Sequence, residues 1–138
     1  IPLRLVGSEM CIRDSPYELG LDRLVNLDIN SNFIGKAALT HIRDHGVNRK
    51  QVGLIIQCEP LSGPNTTFWP ISQSGKIVGK VTSAIYSPRL EQNIALAMVS
   101  SNYSKLGTEL EVSMSSETVQ AFVVQKPFYD PKKKIASL

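Results

Sequence analysis

Few residues in this sequence are of types that could do chemistry, and their spacing narrows the field further. His41 and His45 stand four apart in a helical stretch, which puts two imidazoles on one face and suits a metal ion. Without a third ligand at a matching spacing, a solvated helix face is the more economical reading, and no metal site is expected. Cys11 and Cys58 are too few for a disulfide framework. Glu91, Glu109 and Glu111 fall on strands or loops and read as solvent-facing rather than as a general acid and base. The serines of "VSSNYS" and "SMSSE" are strand-end and turn residues, since neither a nucleophile elbow nor a Cys-His pair accompanies them. Gly75 and Gly79 are isolated, so there is neither a phosphate loop nor a dinucleotide fingerprint. Trp69, Tyr86 and Tyr103 could stack on a flat ring such as a base or a pterin, although packing in a core or at its rim is the simpler account.

These residues sit in a chain of 138 residues, 42% hydrophobic and 20% charged, the size and composition of one folded domain. The formal charge is +3. Residues 1–15 do not change it, because Arg4 and Arg13 balance Glu9 and Asp14. The densest basic cluster is Lys132, Lys133 and Lys134, a mild anion preference without the stripe that nucleic-acid binding needs. Apolar runs such as 94–99, the longest, and 54–56 are far short of the ~20 residues of a membrane-spanning helix. The opening residues lack the apolar core of a secretory signal, so neither a membrane nor export is expected and the cytoplasm is the default location.

The elements that must position any site follow from periodicity. "GKAALTHIRDHG" (35–46) predicts one short helix with Ala38, Leu39 and Ile42 on one face, stopped by Gly46. Thereafter the period is 2. Strands are predicted at 51–58, 66–71, 77–87, 93–100, 106–114 and 118–125. Pro70 marks an edge or an end, "SQSGK" (72–76) a turn with positive φ at Gly75, Ser87-Pro88 a strand stop, and "SSE" a tight hairpin loop. "NIALAMVS" reads as buried on nearly both faces. One short helix followed by about six short strands predicts a mainly β chain closed into a small antiparallel barrel, since an open sheet would leave an apolar edge exposed.

Composition and periodicity end at a β-rich module; three motifs go further. In "SPYELGLDRLVNLDINSNFIGKAAL" (15–39), Pro16, Glu18, Gly20, Leu21, Leu27, Asp28, Phe33, Ile34, Gly35, Lys36 and Leu39 resemble the segment by which the glycine cleavage T-protein family leads into its C-terminal barrel. In that family the segment holds a short strand ending in Leu-Asp. "GKVTSAIYSPRLEQNIALAMV" (79–99) is similar to the family's Thr-Ser and Ser-Pro motif with its apolar strand, and "KPFYDPKKK" (126–134) to its tail. The resemblance covers Pro16 to about Lys134 and implies a linker and helix over 16–50 and a C-terminal barrel with a basic tail over 51–138. "PYELGLDRL", "WPI" and "SAIYSP" lean toward the dimethylsulfoniopropionate demethylase branch, and the "PFYDPKKK" ending toward the aminomethyltransferases.

The resemblance implies a tetrahydrofolate-dependent one-carbon transferase. It implies too that the catalytic aspartate and most of the tetrahydrofolate pocket lie in a larger upstream domain that this chain lacks. No catalytic residue is therefore expected here, and the fragment is expected to be inactive alone. Its implied partners are that upstream domain and a small-molecule one-carbon donor, and the barrel's share is to wall the cleft and exclude water. Phe128 and Tyr129 of the tail, Ser87 and Arg89 of the Ser-Pro-Arg turn, and Glu18 are the residues it implies for the cofactor-facing side. Each has a plainer role open to it: covering the barrel end, stopping a strand, or capping a turn. Two other functions stay open: a folate-binding accessory or assembly module without transferase activity, and a small RNA-binding barrel, which the modest charge disfavours.

The first fifteen residues fit none of this. "LRLVGSEMCIRDS" lacks the Arg-x-Glu-x-Gly run that family members carry before the Pro-x-Glu motif, and it resembles a translated sequencing or cloning adapter. Residues 1 to about 15 are accordingly expected to be foreign to the natural protein and poorly ordered, with Cys11 not a functional cysteine.

Overall fold

The computed structural model describes residues 14–132 together with 134 and 135. Cys11 and most of the segment expected to be foreign lie outside the described residues. Two units are distinct, Ile1–Lys50 and Gln51–Leu138.

In the first unit, α1 (Pro16–Leu19) is a single turn that its flanks make possible. Ser15 Oγ accepts from the Glu18 N–H and the Glu18 carboxylate accepts from the Ser15 N–H, a reciprocal capping box, with proline at the first helical position. Gly20, at φ 72°, closes it in a left-handed conformation that a residue with a Cβ rarely adopts. A 3₁₀ turn follows at Asp22–Leu24. The short strand implied for the segment ending at Leu27-Asp28 is not formed: residues 25–35 carry no regular structure. Then comes α2 (Lys36–His45), ended by Gly46 at φ 80° as its position predicts. Its apolar face is only half covered, Leu39 and Ile42 being partly buried and no residue of the helix fully so.

The second unit is the predicted barrel. Its strands are β1 (Arg49–Ile56, whose first two residues belong to the first unit), β2 (Trp69–Gln73), β3 (Lys76–Ser87), β4 (Gln92–Ser100), β5 (Glu109–Ser113) and β6 (Thr118–Val124). They close in the order β1-β4-β3-β2-β5-β6, with β6 antiparallel to β1 from Gly53↔Val124 to Ile56↔Ala121. β2, β3 and β4 form a meander, so the long connection from β1 to β2 crosses a barrel end in the manner of a Greek key. Alternate residues point inward. Leu54, Ile71, Val81, Val99, Leu110 and Val112 fill the interior, each essentially without solvent exposure.

β2 starts and ends later than its apolar run suggests. Ser72 and Gln73 pair with Ile77 and Lys76, because Ser74 and Gly75, both at positive φ, make the whole turn. Pro70 pairs with Lys80 of β3, but the ladder to β5 begins only at Ile71, so its missing N–H falls beyond the end of that ladder. Gly79 lies against β4 so closely that a Cβ there would meet the Met98 carbonyl and come within 2.8 Å of Val99 Cα. No described helix is long and apolar enough to cross a membrane.

Candidate functional site

The chain leaves β6 through a cis Lys126–Pro127 peptide and folds back over β1. Gly53 makes this possible. It is an outward position between the inward Val52 and Leu54, and a Cβ there would stand 3.0 Å from both Lys126 Cγ and Phe128 Cε1. The absent side chain is thus the seat for Phe128. Lys126 Nζ donates to Gln51 Oε1 at 2.8 Å, and burial pushes the Lys126 ammonium below its ordinary pKa. One residue after Phe128, the Tyr129 ring lies 4.0 Å under the Arg89 guanidinium, which also donates to the Tyr129 hydroxyl. Asp130, at φ 46°, turns the tail by accepting from the Lys134 and Ile135 N–H groups at 2.9 Å each.

Arg89 is offered by the β3–β4 turn at 88–91. Ser87 pairs with Gln92 at its base, and Ser87 Oγ accepts from the Leu90 N–H at 3.4 Å. Four of the five residues singled out in the sequence therefore lie on one unit, and two of them, Arg89 and Tyr129, are in direct contact. Ser87 organises the turn that carries Arg89, and Phe128 anchors the stretch that carries Tyr129. The fifth, Glu18, belongs to the first unit. Its carboxylate accepts from Arg49 Nε at 2.7 Å, while Arg49 also pairs with Asp14 at 2.7 Å. Burial pushes the Glu18 carboxyl up, but the Arg49 and Ser15 hydrogen bonds together outweigh it and hold the group below its ordinary range. The hydrogen bond to Glu18 raises the Arg49 pKa in turn. Glu18 and Arg49 line an open cleft of about 400 Å³ with Ile42 and Val47.

Other chemistry-bearing residues take plainer roles. Trp69 and Tyr103 pack against the barrel core. The Glu111 carboxylate accepts from Ser72 Oγ across β2 and β5, and Glu91 sits in the β3–β4 turn at φ 52°. His41 and His45 stack at 4.0 Å, and His45 Nδ1 lies 2.9 Å from the His41 carbonyl. Among the described residues no three His, Cys, Asp or Glu side chains group as a metal site. Burial first, then Glu117 and Glu59, raise the Cys58 thiol pKa, which keeps it protonated and a poor nucleophile.

Two asparagines that sequence reasoning missed hold the β1–β2 connection. Asn93, 2% exposed, donates to the Cys58 and Glu59 carbonyls at 2.9 and 3.0 Å and accepts from the Leu61 N–H at 2.9 Å. Asn65 accepts from the Ala84 N–H at 2.7 Å through its side chain, and its own N–H donates to the Ala84 carbonyl. The available signal was Asn93, a polar residue opening the most apolar strand in the chain.

A barrel of six strands is too narrow to hold a ligand once side chains fill it. The interior here does not fit a pterin. The tail and the β3–β4 turn lie on the barrel's outer surface.

Comparison with known proteins agrees with this architecture. An aminomethyltransferase from Synechococcus sp. (strain RCC307) is 39% identical over 127 residues, 92% of this chain and 34% of its own length. One from Symbiobacterium thermophilum is 40% identical over 129 residues, 92% of this chain and 33% of its own. The crystal structure of glycine cleavage system aminomethyltransferase T from Bartonella henselae superposes with a TM-score of 0.74 over 84% of this chain and 32% of that one, at 23% identity, and so shares the fold. The chain spans about a third of the length of the curated relatives it matches. Residues 49–130, more than half of the chain and all six strands, match the model of the glycine cleavage T-protein C-terminal barrel domain, and the chain belongs to that family.

Proposed function

We propose that this chain is the C-terminal part of a tetrahydrofolate-dependent one-carbon transferase, an aminomethyltransferase of glycine cleavage or a dimethylsulfoniopropionate demethylase, and that it is inactive alone. The observation that carries the reading is the family match over the whole barrel in a chain one third as long as its relatives. The names of those relatives favour the aminomethyltransferase. The filled interior supports the division of labour: a packed barrel can wall a cleft but cannot enclose a pterin. Holding tetrahydrofolate and the one-carbon donor then falls to the upstream domain. The surface bearing Arg89, Tyr129 and Phe128, with Ser87 beneath, is this chain's side of the cleft, and Glu18 lies on the segment leading to it.

The test is one-carbon transfer to tetrahydrofolate by two proteins. One is the 138-residue chain. The other is a chimera in which residues 16–138 replace the matching third of the Symbiobacterium thermophilum aminomethyltransferase. The chain alone should show no turnover and the chimera should transfer the aminomethyl group. Turnover by the chain alone would refute its inactivity, and a folded chimera without aminomethyl transfer would overturn the assignment.

A further inference from the structure

We propose that His41 and His45 form an open binding site for a divalent late transition metal ion, Ni²⁺, Cu²⁺ or Zn²⁺, held across the last turn of α2. It does not depend on the transfer reaction proposed above.

Spacing alone leaves a solvated helix face as the simpler reading of these two residues, and the ring geometry adds what spacing lacks. The rings stand 4.0 Å apart between centroids, with planes 14° from parallel. Two bonds of about 2.0–2.1 Å from imidazole nitrogens to one ion span up to about 4 Å, so rings this close are within reach of a shared ion. His45 is already set as a ligand. Its Nδ1 lies 2.9 Å from the His41 carbonyl. A carbonyl can only accept, so Nδ1 carries the proton, and in the neutral ring the lone pair is left on Nε2. A backbone carbonyl on the second ring nitrogen is a common way for metal-binding histidines to be fixed in tautomer and orientation. Among the described residues nothing hydrogen-bonds the His41 ring, and both side chains are exposed. The His41 ring has to turn, because lone pairs in near-parallel planes do not converge, and an exposed side chain changes rotamer readily.

The surroundings suit a cation. Both histidines lie in the C-terminal half of a ten-residue helix, His45 as its last residue, where the macrodipole favours positive charge. The nearby guanidinium of Arg43 is engaged by the carboxylates of Asp44 and Asp28 at 3.3 and 3.7 Å. The donors select the ion: imidazoles suit nickel, copper and zinc, whereas magnesium and calcium take oxygen ligands. With two protein ligands the remaining positions fall to water, so the ion exchanges freely, and the third ligand that a structural site needs is not required. The ion spans a turn of a helix that buries none of its residues, so it binds α2 only while that turn is formed.

Titration of the 138-residue chain with Ni²⁺ at neutral pH, followed by calorimetry, tests the site. Ni²⁺ should bind and Mg²⁺ should not. His41→Ala and His45→Ala should each weaken Ni²⁺ binding at least about 10-fold, since the second imidazole engages intramolecularly. Alanine favours a helix, so both variants keep α2. Adding Arg43→His to His45→Ala restores the number of histidines but sets them two apart, where they do not face each other, and should not restore affinity. Ni²⁺ binding that survives either alanine unchanged places the ion elsewhere and overturns the proposal, as does rescue by Arg43→His. With free Ni²⁺ at about 100 times its Kd, amide exchange over residues 42–46 should slow about 100-fold, because opening that turn breaks the site. Unchanged exchange in the metal-bound chain would overturn the proposal, and this measurement on the unaltered chain decides alone should a variant fail to fold.

Discussion

Asn93 places one buried amide among two carbonyls and an N–H of the segment after β1, so it fixes where the Greek-key connection leaves the barrel. Truncation to alanine strips the Cys58 and Glu59 carbonyls and the Leu61 N–H of their partner in a partly buried loop. Asn93→Ala should therefore lower the stability of the barrel by about 2–3 kcal/mol in urea unfolding. A loss below ~0.5 kcal/mol would mean that water replaces the amide. The role was not legible in the sequence, because an asparagine at a strand start reads as a turn residue until the loop it holds is seen. Glu18 was legible as special but not as to why: its carboxylate is committed to Ser15 and Arg49. A carboxyl whose folded pKa is depressed stabilises the fold above its unfolded pKa and loses that contribution as pH falls through the folded value. The midpoint of Glu18, followed by NMR, should lie below its ordinary 4.5 in the native chain and move up in Arg49→Gln. With Arg49 44% exposed, the pair should contribute only about 0.5 kcal/mol at neutral pH and nothing once Glu18 is protonated. An unchanged midpoint in Arg49→Gln would show that the capping box alone sets it.

At the scale of elements, the alternation of apolar residues was enough to find all six strands, since a barrel with a filled interior imposes period 2 on every strand, and the helical period found α2 but not the single turn α1. What it could not find is where strands touch something on their outer faces. Two glycines make the difference measurable. At Gly79 a Cβ would run into β4 backbone, which cannot move without breaking the β3–β4 ladder, whereas at Gly53 it would meet side-chain atoms, Lys126 Cγ and the Phe128 ring edge. Gly79→Ala should thus cost about 3 kcal/mol or more, at the upper end of overpacking losses, and Gly53→Ala about 1 kcal/mol. Only the second should free the tail, read as faster tryptic cleavage after Lys132. Equal stability losses with the tail still protected would mean that Phe128 is not seated by the missing Cβ. The isolated Gly79 in a strand was a visible signal of close approach. Gly53 carried the same signal, but its partner lies 75 residues further on, where no local pattern points back to it.

For the whole molecule, every residue of the contiguous buried core, from Val52 to Val123, lies in the second unit, and among the described residues the first contributes only Leu27 to the buried hydrophobic set. Hydrophobic burial is the dominant favourable term in folding, so cooperative stability should reside in the barrel alone. A chain of residues 48–138, which keeps all six strands and the tail, should unfold in a single transition within about 5 °C of the full chain. Calorimetry reads this directly, and agreement of calorimetric and van't Hoff enthalpies tests the single transition. The strands pair across long stretches of sequence, β1 with β6 above all, so refolding should be slow, on a scale of milliseconds to seconds. The first unit, with half-covered apolar residues and a strand pattern lacking a ladder, should add little to the transition and instead exchange its amides early. A fall of more than ~10 °C on removing residues 1–47, or loss of the single transition, would show that the first unit is part of the cooperative fold, and that the barrel's filled interior does not by itself set the stability of this chain.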